Sequence, residues 1–118
     1  MNSYIYYLAC PYTSKEPDPQ LKVQIEELRF HAANRAAAKL LNEGHFVYSP
    51  ISHCHPIAMD SNLPGDWEFW QKYCKVSLKW CNRVMALKID GWDTSTGVRN
   101  EIRLAKEMGL EVDYMEPV

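Results

Sequence analysis

The sequence predicts a single α/β domain in which a parallel sheet carries helices on both faces. Short β-rich runs alternate along the chain with longer segments of helical period. The chain has 118 residues, 47% hydrophobic and 24% charged, which is typical of one globular domain. Prolines and glycines fall mostly between the periodic segments. We therefore expect one domain over residues 1–118.

Four segments are predicted to be strands. They are rich in aromatic and aliphatic residues and cover residues 4–9, 46–49, 84–87 and 110–114. Each is separated from the next by a segment long enough for a crossover helix. The result is a doubly wound parallel sheet of four to five strands.

The clearest predicted helix covers residues 20–43, opened by Asp18 or Pro19 and closed by Gly44. Its apolar residues recur at steps of three and four and build one stripe: Leu21, Ile25, Leu28, Ala32, Ala36 and Leu40.

Two further helices are predicted, over residues 66–82 with Asp66 as N-cap and over residues 98–108 before Gly109. The face of the first of these is predicted to hold Trp70, Tyr73, Ser77 and Cys81. Residues 51–65 contain prolines without a sustained period, which predicts a long functional loop.

Charge and hydropathy exclude several classes of partner. The formal net charge is −2, and the basic residues are scattered, so a nucleic-acid polymer is not expected to bind. The sequence contains no apolar run of membrane-spanning length, and residues 1–3 begin no signal peptide. The four cysteines form no C-x-x-C pair. We expect a cytoplasmic protein with reduced thiols and no membrane partner.

Three segments are expected to meet beyond the carboxyl ends of the strands, where parallel sheets bind ligands. They are residues 9–12, 49–55 and 89–101. Pro11 lies in the first segment and is placed among the substrate-binding residues.

The third segment carries the strongest chemical pattern. Ser95 or Thr96 caps a helix, and Gly97 lets a ligand approach free backbone amides that bind anions. Glu101 lies one turn later on the same side, where the helix dipole favours the ionised carboxylate. Attack on an anomeric carbon requires such a carboxylate beside a sugar or phosphate pocket. The alternative is an ordinary helix cap followed by a solvated first-turn carboxylate.

Several motifs occur together in one order along the chain. They are Tyr7-Leu-Ala-Cys-Pro-Tyr12, the helix led by Asp66, Gly91-Trp92, and Ser95-x-Gly97-x-x-x-Glu101. In this order the chain resembles the nucleoside 2-deoxyribosyltransferase-like superfamily, especially its small branch with a Gly-Trp-x-x-Ser-x-Gly signature. The resemblance covers almost the whole chain.

That resemblance implies a flavodoxin-like fold and cleavage of the N-glycosidic bond of a nucleoside or nucleotide. Glu101 matches the nucleophile that forms a covalent glycosyl intermediate at C1′, and Tyr7 matches the tyrosine that holds its carboxylate. Ser95 matches relatives that hydrolyse nucleoside 5′-monophosphates, whereas the transferases usually carry an acidic residue there. A hydroxyl can donate to a phosphate that a carboxylate would repel. No metal or organic cofactor is implied.

Cys74 departs from the pattern of these relatives, which usually place an Asp there to protonate the departing base. A neutral thiol is a poor acid for that role. Asp66 is an alternative acid, although two helical turns separate it from Cys74. Either base departure is assisted differently or catalysis is lost.

Histidines and aromatic residues complete the candidate site. His53 or His55 lines the pocket and contacts phosphate or sugar, or else both are loop residues without a role. Together with His45 they give only weak evidence for a zinc site, so no metal is predicted. Trp92 and Tyr12 are the candidates for stacking on a base.

Three functions remain open at this stage: an N-glycosidase or deoxyribosyltransferase, a non-catalytic nucleotide-binding module, and an interaction protein. Cys74 favours the second. The resemblance also implies a homo-oligomer, a dimer or larger, and the aromatic helix from Trp67 to Trp80 suits its interface.

Overall fold

Residues 3–118 are described by the structure, a computed structural model, and in them one sheet of parallel strands forms the centre. The strands are β1 (Ile5–Ala9), β2 (Phe46–Tyr48), β3 (Arg83–Leu87) and β4 (Glu111–Met115). Their order is β2-β1-β3-β4, and every neighbouring pair is parallel. This confirms the predicted α/β class, and the order is that of a flavodoxin-like fold.

The helices lie on both faces of the sheet, as predicted. They are α1 (Pro19–Asn42), α2 (Pro50–Ser61), α3 (Trp67–Trp80) and α4 (Thr96–Glu107). One core layer joins the sheet to α1 and α2, and the other joins it to α3 and α4. Chain order reverses between β1 and β3, which makes their carboxyl ends the switch point of the sheet.

Strand β1 divides its side chains between the two layers. Tyr6 and Leu8 pack towards α1 and α2, whereas Tyr7 and Ala9 pack towards α3 and α4. This follows from the two-residue period of a strand, since successive side chains point to opposite faces. The Tyr7 side chain therefore enters the layer that contains α4.

Helix α2 corrects the prediction of a loop over residues 51–65. Ser49 caps this helix by accepting a hydrogen bond from the backbone N–H of Ser52 at 3.3 Å, and Pro50 follows at the first helical position. Asn62 ends it in the left-handed conformation, with φ of 55°. Pro56 lies inside the helix and interrupts its helical period. The sequence signals that mark this helix are therefore Ser49 at the N-cap and Pro50 at the first helical position.

Helix α1 begins at the Asp18 cap as predicted, but its predicted apolar stripe is only partly buried. Leu28 is 69% exposed, and the core is filled by Ala33, Ala36 and Leu40. The helix has 24 residues and is about 36 Å long, whereas a five-residue strand spans about 17 Å. Its first half therefore extends beyond the sheet. No helix within residues 3–118 is long and apolar enough to cross a membrane.

Helix α3 buries two of the four residues predicted for its inner face, Ser77 and the C-cap residue Cys81, and leaves Tyr73 outside that face. Its buried residues are Cys74, Ser77 and Leu78, followed by Cys81 at the C-cap, whereas Tyr73 is 57% exposed. The buried face consists of small and medium side chains, whereas Phe69, Tyr73 and Trp80 are exposed and Trp67 packs against the core. The prediction did not include Cys74 or Leu78, which complete the buried face.

Candidate active site

Two buried side chains, one from β1 and one from α4, meet in the core layer between the sheet and helices α3 and α4. The Tyr7 hydroxyl donates a hydrogen bond to Oε2 of Glu101. Tyr7 is fully buried and Glu101 is 6% exposed. The predicted alternative of a solvated first-turn carboxylate at Glu101 is therefore wrong.

A third side chain, from α3, reaches the same carboxyl oxygen. The Cys74 thiol lies 3.8 Å from Oε2 of Glu101 as a weak donor. Both side-chain hydrogen bonds described for Glu101 thus end on Oε2. No hydrogen bond is described for the second oxygen, Oε1.

Burial dominates the electrostatics of this carboxyl group. Burial raises the pKa of Glu101 to about 8, while the hydrogen bonds from Tyr7 and Cys74 act in the opposite direction. The helix dipole was expected to keep this carboxylate ionised, but desolvation outweighs it. At neutral pH the neutral form of this carboxyl group is therefore favoured over the ionised form.

The two donors keep their protons at physiological pH. Burial, followed by the nearby Glu101 charge, raises the pKa of Tyr7 well above its usual value. The same two causes, in the same order, raise the pKa of the Cys74 thiol to about 12. Tyr7 and Cys74 therefore act as hydrogen-bond donors, and the thiol is too weak an acid to replace a carboxylic acid.

The start of α4 provides the predicted polar end of the site. Ser95 is the N-cap, and its Oγ accepts a hydrogen bond from the backbone N–H of Val98 at 3.2 Å. A side chain at Gly97 would meet only Ser95 Oγ at 3.8 Å, so the backbone there is open to close approach. The Ser95 hydroxyl proton remains available to an acceptor such as a phosphate oxygen.

A second cluster of polar side chains lies just after the end of β1. The Tyr12 hydroxyl lies 2.5 Å from Nδ1 of His55, and Nε2 of His55 lies 2.8 Å from Oε2 of Glu27. His55 is 5% exposed, and Pro11 beside Tyr12 is fully buried. Of the two predicted histidines, His55 is therefore the one held in a polar network, whereas His53 is exposed.

The hydrogen bonds described for the Glu101 carboxyl group do not include the other predicted residues. Asp66 is exposed, makes no side-chain cap hydrogen bond, and precedes Cys74 by about 12 Å of helix. Trp92 is half-buried, with its ring 5.6 Å from that of Tyr114. His45 accepts a hydrogen bond from the Tyr4 backbone at the opposite, amino end of β1.

No group of three or more His, Cys, Asp or Glu residues suited to a metal ion occurs within the described residues 3–118. The polar groups of the site are instead arranged as donors and acceptors for one another.

Two residues that sequence reasoning did not select also support the site. Glu27 pairs with His55, and Arg29 donates hydrogen bonds to the backbone oxygens of Tyr12 and Thr13 at 3.2 and 3.0 Å. Both lie on the polar side of α1, where a charged residue is ordinary. No sequence signal distinguishes them, because their partners lie far away along the chain.

Comparison with known proteins gives a family without an assigned activity. Residues 4–117 match the family described as "Domain of unknown function (DUF1937)", and the chain belongs to that family. No curated protein matches the chain.

Replacing Glu101 by Gln should stabilise the protein increasingly as the pH rises from about 5 to about 8. The carboxyl pKa is about 8 in the folded protein against 4.5 as its reference value, so the folded state binds the proton more tightly. The free energy of unfolding of the unmodified protein should fall across this range, while that of Glu101→Gln should not. We expect its melting temperature at pH 8 to be higher by about 5 °C or more.

Glu107→Gln is the matched control, because Glu107 is exposed at the end of the same helix. Its melting temperature should follow that of the unmodified protein at every pH. A constant difference between Glu101→Gln and the unmodified protein from pH 5 to pH 8 would contradict the raised pKa.

Proposed function

We propose that this protein cleaves the N-glycosidic bond of a (deoxy)nucleoside 5′-monophosphate or a nucleoside through a covalent glutamyl intermediate. The observation that carries the proposal is the buried Glu101 carboxyl group, oriented by the Tyr7 hydroxyl near the open start of α4. A burial that raises a carboxyl pKa this far is more frequent at functional sites than elsewhere. The resemblance to deoxyribosyltransferase-like proteins assigns the same two residues.

In the first step, ionised Glu101 attacks C1′ of the sugar. Tyr7 and Cys74 hold Oε2, so Oε1 forms the new C–O bond while the C1′–N bond breaks and its electron pair leaves with the base. The base takes up a proton. In the second step, water attacks C1′ and restores the carboxylate, which completes hydrolysis. A second base in place of water gives transfer.

The start of α4 favours a nucleotide over a nucleoside. Ser95 caps the helix and retains a hydroxyl proton, and Gly97 leaves the backbone amides accessible. A phosphate dianion at this point gains both donors and the positive end of the helix dipole. The ligand is therefore a small nucleotide or nucleoside, and the covalent step requires no cofactor. The four cysteines are free, which suits a reducing compartment such as the cytoplasm.

A non-catalytic nucleotide-binding module of the same fold is the alternative, and Cys74 favours it. Its thiol, with a pKa of about 12, occupies the position where the related enzymes usually have an acid. Asp66 does not compensate directly, because it is exposed two turns earlier. Such a module would bind nucleotides without releasing the base.

Incubation with deoxynucleosides and deoxynucleoside 5′-monophosphates, with and without a free acceptor base, should release or exchange the base. Glu101→Gln should abolish this activity because an amide cannot form the glycosyl ester, while Glu107→Gln should retain it. Chromatography measures the released or exchanged base, and the intact mass of the protein detects the glycosyl ester. Ligand-induced thermal stabilisation without base release would support the binding module instead.

Replacing Ser95 by Asp should lower kcat/KM for the monophosphate by about tenfold or more and affect the nucleoside less. Asp caps a helix as well as Ser does, so the fold should persist while the new charge repels the phosphate. Ser95→Asn, a neutral cap, is the matched control. An equal loss for both substrates would argue against a phosphate at this position.

A row of exposed apolar side chains on α3 supports the proposal that the chain forms a homo-oligomer. Phe69, Tyr73, Val76 and Trp80 are 38, 57, 49 and 59% exposed and recur at helical spacing. Phe46 is 67% exposed on β2, an edge strand. An uncharged strand edge beside an apolar helix row is a surface that natural proteins usually cover, and a second copy of the chain would cover it.

Trp80→Lys should convert the oligomer to a monomer, because it places a charge within this surface, at the end of the row that contacts Tyr48 of β2. Size-exclusion chromatography with light scattering measures the change. Leu28→Lys, at an equally exposed apolar residue of α1, should leave the assembly intact. A monomeric unmodified protein would contradict the proposed homo-oligomer.

A further inference from the structure

The Glu101 carboxyl group is buried without a counter-cation. Within the described residues 3–118, no Lys, Arg or His nitrogen lies within ion-pair distance of it. Its side-chain hydrogen bonds come from the Tyr7 hydroxyl and the Cys74 thiol, which are neutral donors. Burial outweighs these donors and raises the pKa of Glu101 to about 8. The nucleophile of the proposed reaction is therefore mostly in its neutral, unreactive form at neutral pH.

One oxygen of this carboxyl group is accessible to a ligand. Oε2 accepts from both donors, whereas no hydrogen bond is described for Oε1. Every fully buried side-chain nitrogen or oxygen atom of residues 3–118 has a hydrogen-bond partner. Oε1 therefore reaches the surface, although Glu101 is only 6% exposed.

The side chains that contact Glu101 are poor acids for a departing base. Burial is the main reason that the pKa of the Cys74 thiol is about 12 and that the pKa of Tyr7 lies well above its usual value. A neutral base departs as an anion unless a nearby group gives it a proton. These contacts therefore suit a base that leaves without taking up a proton.

A base that carries a positive charge would remove both difficulties. An opposite charge within about 4 to 6 Å favours the ionised form of a carboxyl group. The charged ring nitrogen is bonded to C1′, the carbon that Glu101 attacks, and so it lies within this range. Such a substrate ionises its own nucleophile, and its base departs as a neutral molecule.

Aromatic side chains continue from the residue that holds Glu101. Tyr48 is paired with Tyr7 in the parallel register of β1 and β2, and their ring centroids are 6.2 Å apart. The half-buried Tyr48 packs against the core layer of α3 and α4, and its ring lies 5.6 Å from the Trp80 ring. The faces of aromatic rings attract cations, so this row suits a flat, positively charged ring.

We infer that the substrate is a nucleotide whose base is a positively charged nitrogen heterocycle, such as a pyridinium, joined to C1′ through the charged nitrogen. This inference rests on the proposed function and names its substrate class. It follows from a buried nucleophile that has neutral donors, no counter-cation and no acid in contact with it.

The reaction balances without a proton donor. When the substrate binds, the Glu101 proton passes to solvent. In the first step, the carboxylate forms a C–O bond to C1′, the C1′–N bond breaks, and its electron pair neutralises the ring nitrogen. In the second step, water attacks C1′ and loses one proton to solvent, while the electron pair of the ester C–O bond restores the carboxylate. The net reaction consumes one water and releases a neutral base, a sugar phosphate and one proton.

The first test compares turnover of a charged base with turnover of neutral bases. Nicotinamide mononucleotide supplies a pyridinium, and guanosine and cytidine 5′-monophosphates supply neutral bases, each with ribose and with deoxyribose. Every rate is divided by the uncatalysed rate of the same substrate, so that differences in bond stability cancel. We expect the rate acceleration to be about a hundredfold or more larger for the pyridinium nucleotide.

A second test introduces an acid next to Glu101. Cys74→Asp should raise turnover of the neutral bases about tenfold or more, and it should not raise turnover of the pyridinium nucleotide, which needs no proton. Cys74→Asn is the matched control, because it has nearly the same shape without an acidic proton, and it should raise neither. A merely structural role of residue 74 would change both classes of substrate alike and would contradict the inference.

A binding measurement tests the same inference without turnover, and it applies even if Cys74→Asp does not fold. Carbocyclic analogues bind without cleavage, because they lack the ring oxygen that stabilises the oxocarbenium-like transition state. In calorimetry at pH 7 in buffers of different ionisation enthalpy, the pyridinium analogue should release about half a proton more than the guanine analogue. The phosphate group is common to both ligands and cancels. Glu101→Gln should abolish the difference.

Equal rate accelerations for charged and neutral bases, or equal proton release by the two analogues, would overturn this substrate class and leave the proposed function standing. An unmodified protein that releases the base from neither class of nucleotide, with either sugar, would overturn both proposals. Base release that persists in Glu101→Gln would also overturn both, because each requires this carboxylate.

Discussion

The Glu101 carboxyl group, buried against the Tyr7 hydroxyl, is the interaction on which the arrangement of the molecule depends. A carboxyl group in the interior is unfavourable in its ionised form unless donors reach it. Strand β1 supplies one donor because its alternation turns Tyr7 towards α4, and α3 supplies the other through Cys74. The pKa of about 8 shows that these donors compensate only part of the desolvation. The result is a group that changes protonation near neutral pH.

The close packing of α3 links this site to the outer surface. Cys74, Ser77 and Leu78 form a contact face of small and medium side chains, which brings the thiol within reach of Glu101. The opposite face of the helix carries Tyr73 and Trp80, which are more than half exposed. The geometry of the carboxyl group and the proposed oligomer surface therefore have one structural origin. A bulkier side chain at Cys74 would alter both.

The chain places a group of polar residues in each core layer after the strands β1 and β3, which flank the switch point of the sheet. Glu101 belongs to the layer of α3 and α4, and the network of Tyr12, His55 and Glu27 belongs to the layer of α1 and α2. Chain order reverses between these two strands, so their crossovers depart to opposite faces, and parallel sheets generally bind ligands at such a reversal.

The local sequence pattern was sufficient to predict the strands and the helices α1, α3 and α4. It also predicted that Ser95, Gly97 and Glu101 lie together at the start of one helix. Periodicity, caps and breakers act over a few residues, so the sequence by itself determined the α/β class and the end of the sheet where polar residues gather. Helix α2 was missed because Pro56 interrupts its period.

Tertiary structure decided what depends on distant partners. The burial of Glu101, the outward rotation of Tyr73 and the pairing of His55 with Glu27 join segments that lie far apart in the chain. The physical reason is that a side chain's protonation and exposure depend on what packs around it. That environment exists only once the helices have closed on the sheet.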